Sequence, residues 1–140
     1  MQNPPLVNLI KQSSAAQGFA GMILPARPLL EQEQEVLSYL ADILIDAYAA
    51  ESAVLRAQDA AARKVSNADA HADAARITTN EAAGRIELAA RSCLAAMAEG
   101  DTLRTQLAAL RRLMKVTPVN TVVMRRRLAE ASVAKGGYIF

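Results

Sequence analysis

The chain has 140 residues, enough for one ordinary domain with a core of its own. Hydrophobic residues make up 52% of it and aromatic residues 4%, with no Trp, which excludes general disorder and calls for a core of Ala, Leu, Ile, Val and Met, a composition that favours helices. The net charge is only +2 and it is polarised, since residues 31–100 set six cations against twelve carboxylates and residues 101–140 set eight against two, so the chain is not uniformly basic like many nucleic-acid modules.

Residues 1–30 hold Pro4, Pro5, Pro25 and Pro28, two glycines and the run "QSSAAQG". That is connector composition, with one short helical piece expected at Leu6–Ser14. A connector ahead of any domain implies a chain cut from something longer. The apolar run Phe19–Leu24 falls far short of the ~20 residues that span a bilayer, and no secretory signal is visible.

From Glu31 the pattern turns helical. Val36/Leu37, Leu40, Ile43/Leu44, Ala47/Tyr48, Glu51 and Val54/Leu55 recur at three- and four-residue spacing, a wide apolar stripe. Glu31, Glu33 and Glu35 place negative charge where the helix dipole favours it. The first main helix is expected at 32–65. Asn67 or Asp69 can cap the second, at 69–98, whose stripe of Ala75, Thr79, Ala82, Ile86, Ala89, Cys93 and Ala96 is small enough for a close neighbour. Gly100 ends it and Asp101 caps the third, at 102–115, with Leu103, Leu107, Leu110 and Met114 on one face. Thr117 is a natural N-cap and Pro118 suits a first helical position, where its missing N–H costs nothing. The fourth helix then runs over 118–135, with Val122, Val123, Met124 and Leu128 apolar, and Gly136-Gly137 stops it. Short links imply antiparallel neighbours and an all-α, up-down bundle of four helices over residues 31–140.

Candidate chemistry is thin. His71, the only histidine, stands between Asp69 and Asp73, but those two share a helical face from which His71 points about 200° away. It reads as a solvated helix start, with no metal site. Asp42, Asp46 and Glu51 lack a His, Cys or Lys spaced to serve them, and Asp42 and Asp46 can pair with arginines of the third and fourth helices instead. Cys93, the lone cysteine, excludes an internal disulfide and reads as a packed thiol. "GFAG" is too short for a phosphate loop and lacks its lysine. No catalytic, cofactor-binding or metal residue is assigned.

The stretch "RRLMKVTPVNTVVMRRRL" (111–128) is the most distinctive. Arg111, Arg112 and Lys115 fall at the end of the third helix, where cations oppose the negative dipole end. Arg125, Arg126 and Arg127 sweep about 200° of the fourth, so they cannot all address one phosphate backbone. No aromatic residues interleave with them to stack bases. At least one should turn back to the acidic helices; the others are candidates for docking a protein surface.

"LADILIDAYAAESAVLRA" (40–57) and "EGDTLRTQLAALRRLMKVTPVNTVVMRRRLAEA" (99–131) resemble the C-terminal domain of very-long-chain-type acyl-CoA dehydrogenases, especially bacterial ones, over about 35–140. The resemblance implies a helical appendage to a flavoenzyme of fatty acid metabolism. In that family a core bearing FAD removes the α-proton of a fatty acyl-CoA with a glutamate, and the flavin takes the β-hydride. The appended helices pack on the core and shape the dimer. Some members use the junction to reach a membrane surface.

The expectation is therefore a non-catalytic domain, cytoplasmic or peripheral at the membrane. Its partner is the acyl-CoA dehydrogenase core of the same parent chain or its dimer mate, and FAD belongs to the parent. No residue here takes the base, flavin or acyl-CoA role. Residues 1–30 would be the junction, and their apolar side chains would pack on the core or rest at a bilayer. The alternative is a free-standing helical adaptor that docks proteins or anionic membrane through its C-terminal arginines. Nucleic acid is not an expected partner.

Overall fold

The computed structural model describes residues 33–140. Four helices make up the fold: α1 (Gln34–Ala62), α2 (Ala68–Met97), α3 (Gly100–Leu113) and α4 (Thr121–Lys135). The described residues contain no strand, and the all-α helical bundle is the fold the composition and periodicity predict. The junction expected at 1–30 lies outside the described residues.

α1 and α2 form a long antiparallel hairpin. Val36, Leu40, Ile43, Ala47, Ala50, Val54 and Ala57 are buried along α1, alternating four- and three-residue steps, the spacing that keeps one seam against a neighbour. α2 answers with Ala75, Ala82, Ile86, Ala90 and Cys93, all buried. Alanine at so many facing positions lets the two backbones approach closely, and this is the most extensive contact in the molecule. Lys64 turns the corner in the left-handed region, at φ 53°.

α3 and α4 also lie against α2, and neither pairs with the other. Leu110 and Met114 of α3 are buried in the main core, with Leu103 and Leu107 packed beside it. Met114 borders the same small gap as Thr79 and Ile86 of α2. From there an irregular link runs over 115–120, where the Val119 N–H donates to Asn80 Oδ1 at 3.1 Å. α4 then proceeds toward the N-terminal end of α2. α3 and α4 thus follow one another along the second face of α2, which explains why α2 also buries Asp73, Ile77, Ala83 and Leu94. The tail completes the path: Asn67 Nδ2 donates to the Ile139 carbonyl at 2.7 Å.

Helix boundaries differ from expectation at three caps. Asn67 sits at the start of α2 without a side-chain capping bond, because its amide holds the tail instead. Asp101 is inside the first turn of α3, not its cap. Gly100 adopts φ 58°, which brings the helix in early, and the Glu99 carbonyl accepts from Leu103 N at 3.3 Å. Asp101 still lies at the positive dipole end, paired with Arg104 at 3.1 Å. Thr117 and Pro118 do not begin α4. Asn120 is the N-cap and its side chain accepts from Val123 N at 3.3 Å. The Val119 N–H is committed to Asn80, so the link is pinned to α2 and the helix starts only after it.

Candidate functional site

The basic C-terminal region divides by partner. Arg127 donates through Nε and Nη2 to both oxygens of Asp73, at 2.8 and 2.7 Å. Asp73 is 6% exposed and lies 3.7 Å from Arg76 as well. A carboxylate so deeply placed is costly to bury without such partners. The hydrogen bond to Asp73, and then its charge, hold the Arg127 proton more tightly than usual. Arg125 pairs with Glu81 of α2. Two arginines therefore turn back to an acidic helix as the triplet's sweep requires, reaching from different sides of α4 on their long stems.

Arg111 and Arg112 close the last turn of α3, where they oppose its dipole. Lys115 lies past the helix end, which comes two residues earlier than expected. Arg111, Arg112, Lys115 and Arg126 are exposed and have no ion pair among the described residues. α4 itself buries no residue, and Val122 and Val123 are exposed while Met124 and Leu128 are half-buried. Its expected apolar face is a shallow one, and charge holds much of the helix in place.

The carboxylates of α1 take other partners than expected. Asp46 receives Arg85 of α2 in a forked pair at 2.7–3.1 Å, and that hydrogen bond raises the Arg85 pKa. Neither Asp46 nor the exposed Asp42 meets an arginine of α3 or α4. The hairpin brings α2 beside α1 along its whole length, so a cation of α2 arrives first. His71 is half-buried, not bare in solvent: its ring meets Phe140 edge-on at 5.0 Å, and Phe140 meets Tyr138 at 5.5 Å. These rings border an open groove of about 320 Å³ with Arg56, Ser52 and Thr78 over an alanine floor. No group of three or more His, Cys, Asp or Glu able to hold a metal occurs among the described residues. Cys93 is fully buried beside Met97, with Sγ 3.8 Å from its Sδ, and burial pushes its thiol pKa up, so it is a packed thiol.

Sequence reasoning missed the roles of Asn67, Asn80, Asp73 and Asn120, which pin tail, link and α4 to the hairpin. Only Asn120 carried a local signal, as a favoured capping residue just before a helical run. It also merged two stripes of α1 into one. Leu37, Leu44, Tyr48 and Leu55 face outward and are exposed.

The described residues define a helical bundle domain. The sequence profile of the acyl-CoA dehydrogenase C-terminal domain matches residues 11–112, and the chain belongs to that family. It is 39% identical over 124 residues to a probable acyl-CoA dehydrogenase of Bacillus subtilis (strain 168), covering 86% of this chain and 21% of that protein. It also matches the crystal structure of an acyl-CoA dehydrogenase complexed with FAD from Bacillus anthracis, with a TM-score of 0.91 and 30% identity over 99% of this chain and 25% of that one. The chain spans a fifth to a quarter of the length of these relatives. No described helix is long and apolar enough to cross a membrane.

Proposed function

We propose that this chain serves as the non-catalytic C-terminal domain of a FAD-dependent acyl-CoA dehydrogenase of fatty acid β-oxidation. It packs on a catalytic core carried by the same parent chain or its dimer mate, and helps shape the dimer. The assembly is cytoplasmic, with residues 1–30 as the junction and as a point of peripheral membrane contact. The observation that supports this reading is the match at 39% identity to only 21% of a dehydrogenase's length. A domain matched so closely, and so small a part of its relative, takes its function from what surrounds it.

The open groove beside His71 is a poor fit for the flavin. It is about 320 Å³ and offers Arg56 and a half-buried histidine, too little for a dinucleotide with two phosphates. FAD would therefore sit in the core. Reading the gene in frame upstream of Met1, and purifying what it encodes, tests the proposal. A core that carries bound flavin and reduces an electron acceptor with a fatty acyl-CoA is expected, while the 140-residue chain alone stays colourless and inactive. A free-standing open reading frame, or flavin bound by the short chain, overturns the assignment.

The exposed Arg111, Arg112, Lys115 and Arg126 favour a second reading, a helical adaptor for anionic surfaces. Sedimentation with anionic vesicles across a salt series separates it, since exposed-charge attraction fades within a Debye length of ~8 Å at physiological salt.

A further inference from the structure

The seam of α1 covered by α2 has a twin. One residue further along, Leu37, Ala41, Leu44, Tyr48 and Leu55 repeat the same alternating spacing, about 100° around the helix, with Glu51 at the remaining position. The large members of this second seam are exposed: Leu37 by 43%, Leu44 by 48%, Tyr48 by 74% and Leu55 by 56%, with Ile45 alongside at 65%. Together they make one strip ~27 Å long at 1.5 Å per residue. Contiguous apolar patches of more than a few hundred Å² are uncommon on isolated proteins and mark interaction sites. The exposed valines of α4 show no comparable periodicity.

We infer that this strip is the surface on which the domain seats its catalytic core, an inference that rests on the reading above. In both relatives most of the molecule lies outside the matched region. The matched family is a C-terminal domain, so in such proteins the remainder precedes it. Exposed Asp42 and Arg56 border the strip, and the Asp59–Arg63 pair lies beyond its end.

Labelling by a maleimide tests this with Tyr48→Cys and Val133→Cys, each made in the 140-residue chain and in the parent protein, with helicity checked by circular dichroism. Both positions are exposed and native Cys93 is fully buried, so fast labelling of the short chain reports the introduced thiol, and in the parent it is read at the modified peptide by mass spectrometry. Tyr48→Cys should label roughly tenfold or more slowly in the parent than in the short chain, as expected for a covered site. Equal rates in both proteins overturn the inference. So does protection in the short chain that grows with its concentration, which means a second copy, or protection of Val133→Cys alone, which puts the core on α4. Flavin absorbance of the same parent is scored separately. A colourless parent with Tyr48→Cys protected overturns the flavoenzyme reading and leaves the docking face standing.

Discussion

Arg125, Arg126 and Arg127 are neighbours in sequence and occupy three environments. Arg127 holds a buried carboxylate in a two-point grip, Arg125 meets the half-exposed Glu81, and Arg126 is exposed without an ion pair among the described residues. Breaking a pair is most damaging where it strands a buried charge, whereas exposed pairs are worth little. Thermal unfolding of the three alanine variants should therefore rank them. Arg127→Ala should lose several degrees of midpoint, Arg125→Ala less, and Arg126→Ala almost nothing. An equal loss at all three would show that Asp73 does not depend on Arg127. Cys93 gives a second test at this scale. Burial raises its pKa in the folded state, so folding favours the neutral thiol. That contribution is complete below the unfolded thiol value of ~8.5 and is lost as pH rises through the raised folded value. Denaturant midpoints should fall on the alkaline side of pH ~8.5, and less so in Cys93→Ala; identical slopes in the two proteins would contradict the linkage.

Among the elements, what was legible in the sequence follows from how local the cause is. The seam of α1, the leucine face of α3 and the glycine stop of α4 each depend on residues within a turn or two, and each appears where the spacing puts it. Gly136 adopts φ 70° and the last turn closes with Gly136 N to Val133 O and Gly137 N to Ser132 O, both 3.1 Å, the expected left-handed ending. The start of α4 was illegible because its cause is distant: Asn80, 39 residues away, claims the Val119 N–H. Likewise, nothing local says whether Leu44 or Ile43 faces α2, since either fits a wide stripe. The pairing Asp46–Arg85 depends on the hairpin's register, which a single sequence does not display. The corrected cap is testable. Asn120→Ala should destabilise the protein by about 1 kcal/mol through loss of the bond to Val123 N, while Thr117→Ala, at an exposed link position, should change it by no more than a few tenths. Equal effects in urea unfolding would restore Thr117 as the start.

At the scale of the whole molecule, the four helices are not held by the same force. α1, α2 and α3 share one apolar core that includes Ile43, Ile86, Cys93 and Leu110. α4 contributes no buried residue and is joined to α2 by Arg125–Glu81, Arg127–Asp73 and the Asn80 bond to its approach. Apolar burial is insensitive or mildly strengthened as salt rises, whereas exposed ion pairs are screened. Amide exchange should consequently separate the helices. Protection in the α1–α2 hairpin should approach the global unfolding limit, and α4 should open at much lower free energy. Raising sodium chloride from 0.05 to 0.5 M, about a threefold change in screening length, should speed exchange in α4 selectively, and Arg127→Ala should make α4 exchange fast even at low salt. The tail would respond with it, because Ile139 is buried only where Asn67 holds it. If α4 exchanges as slowly as α2 at both salt concentrations, ion pairing is not what fastens it and its half-buried Met124 and Leu128 must anchor it instead.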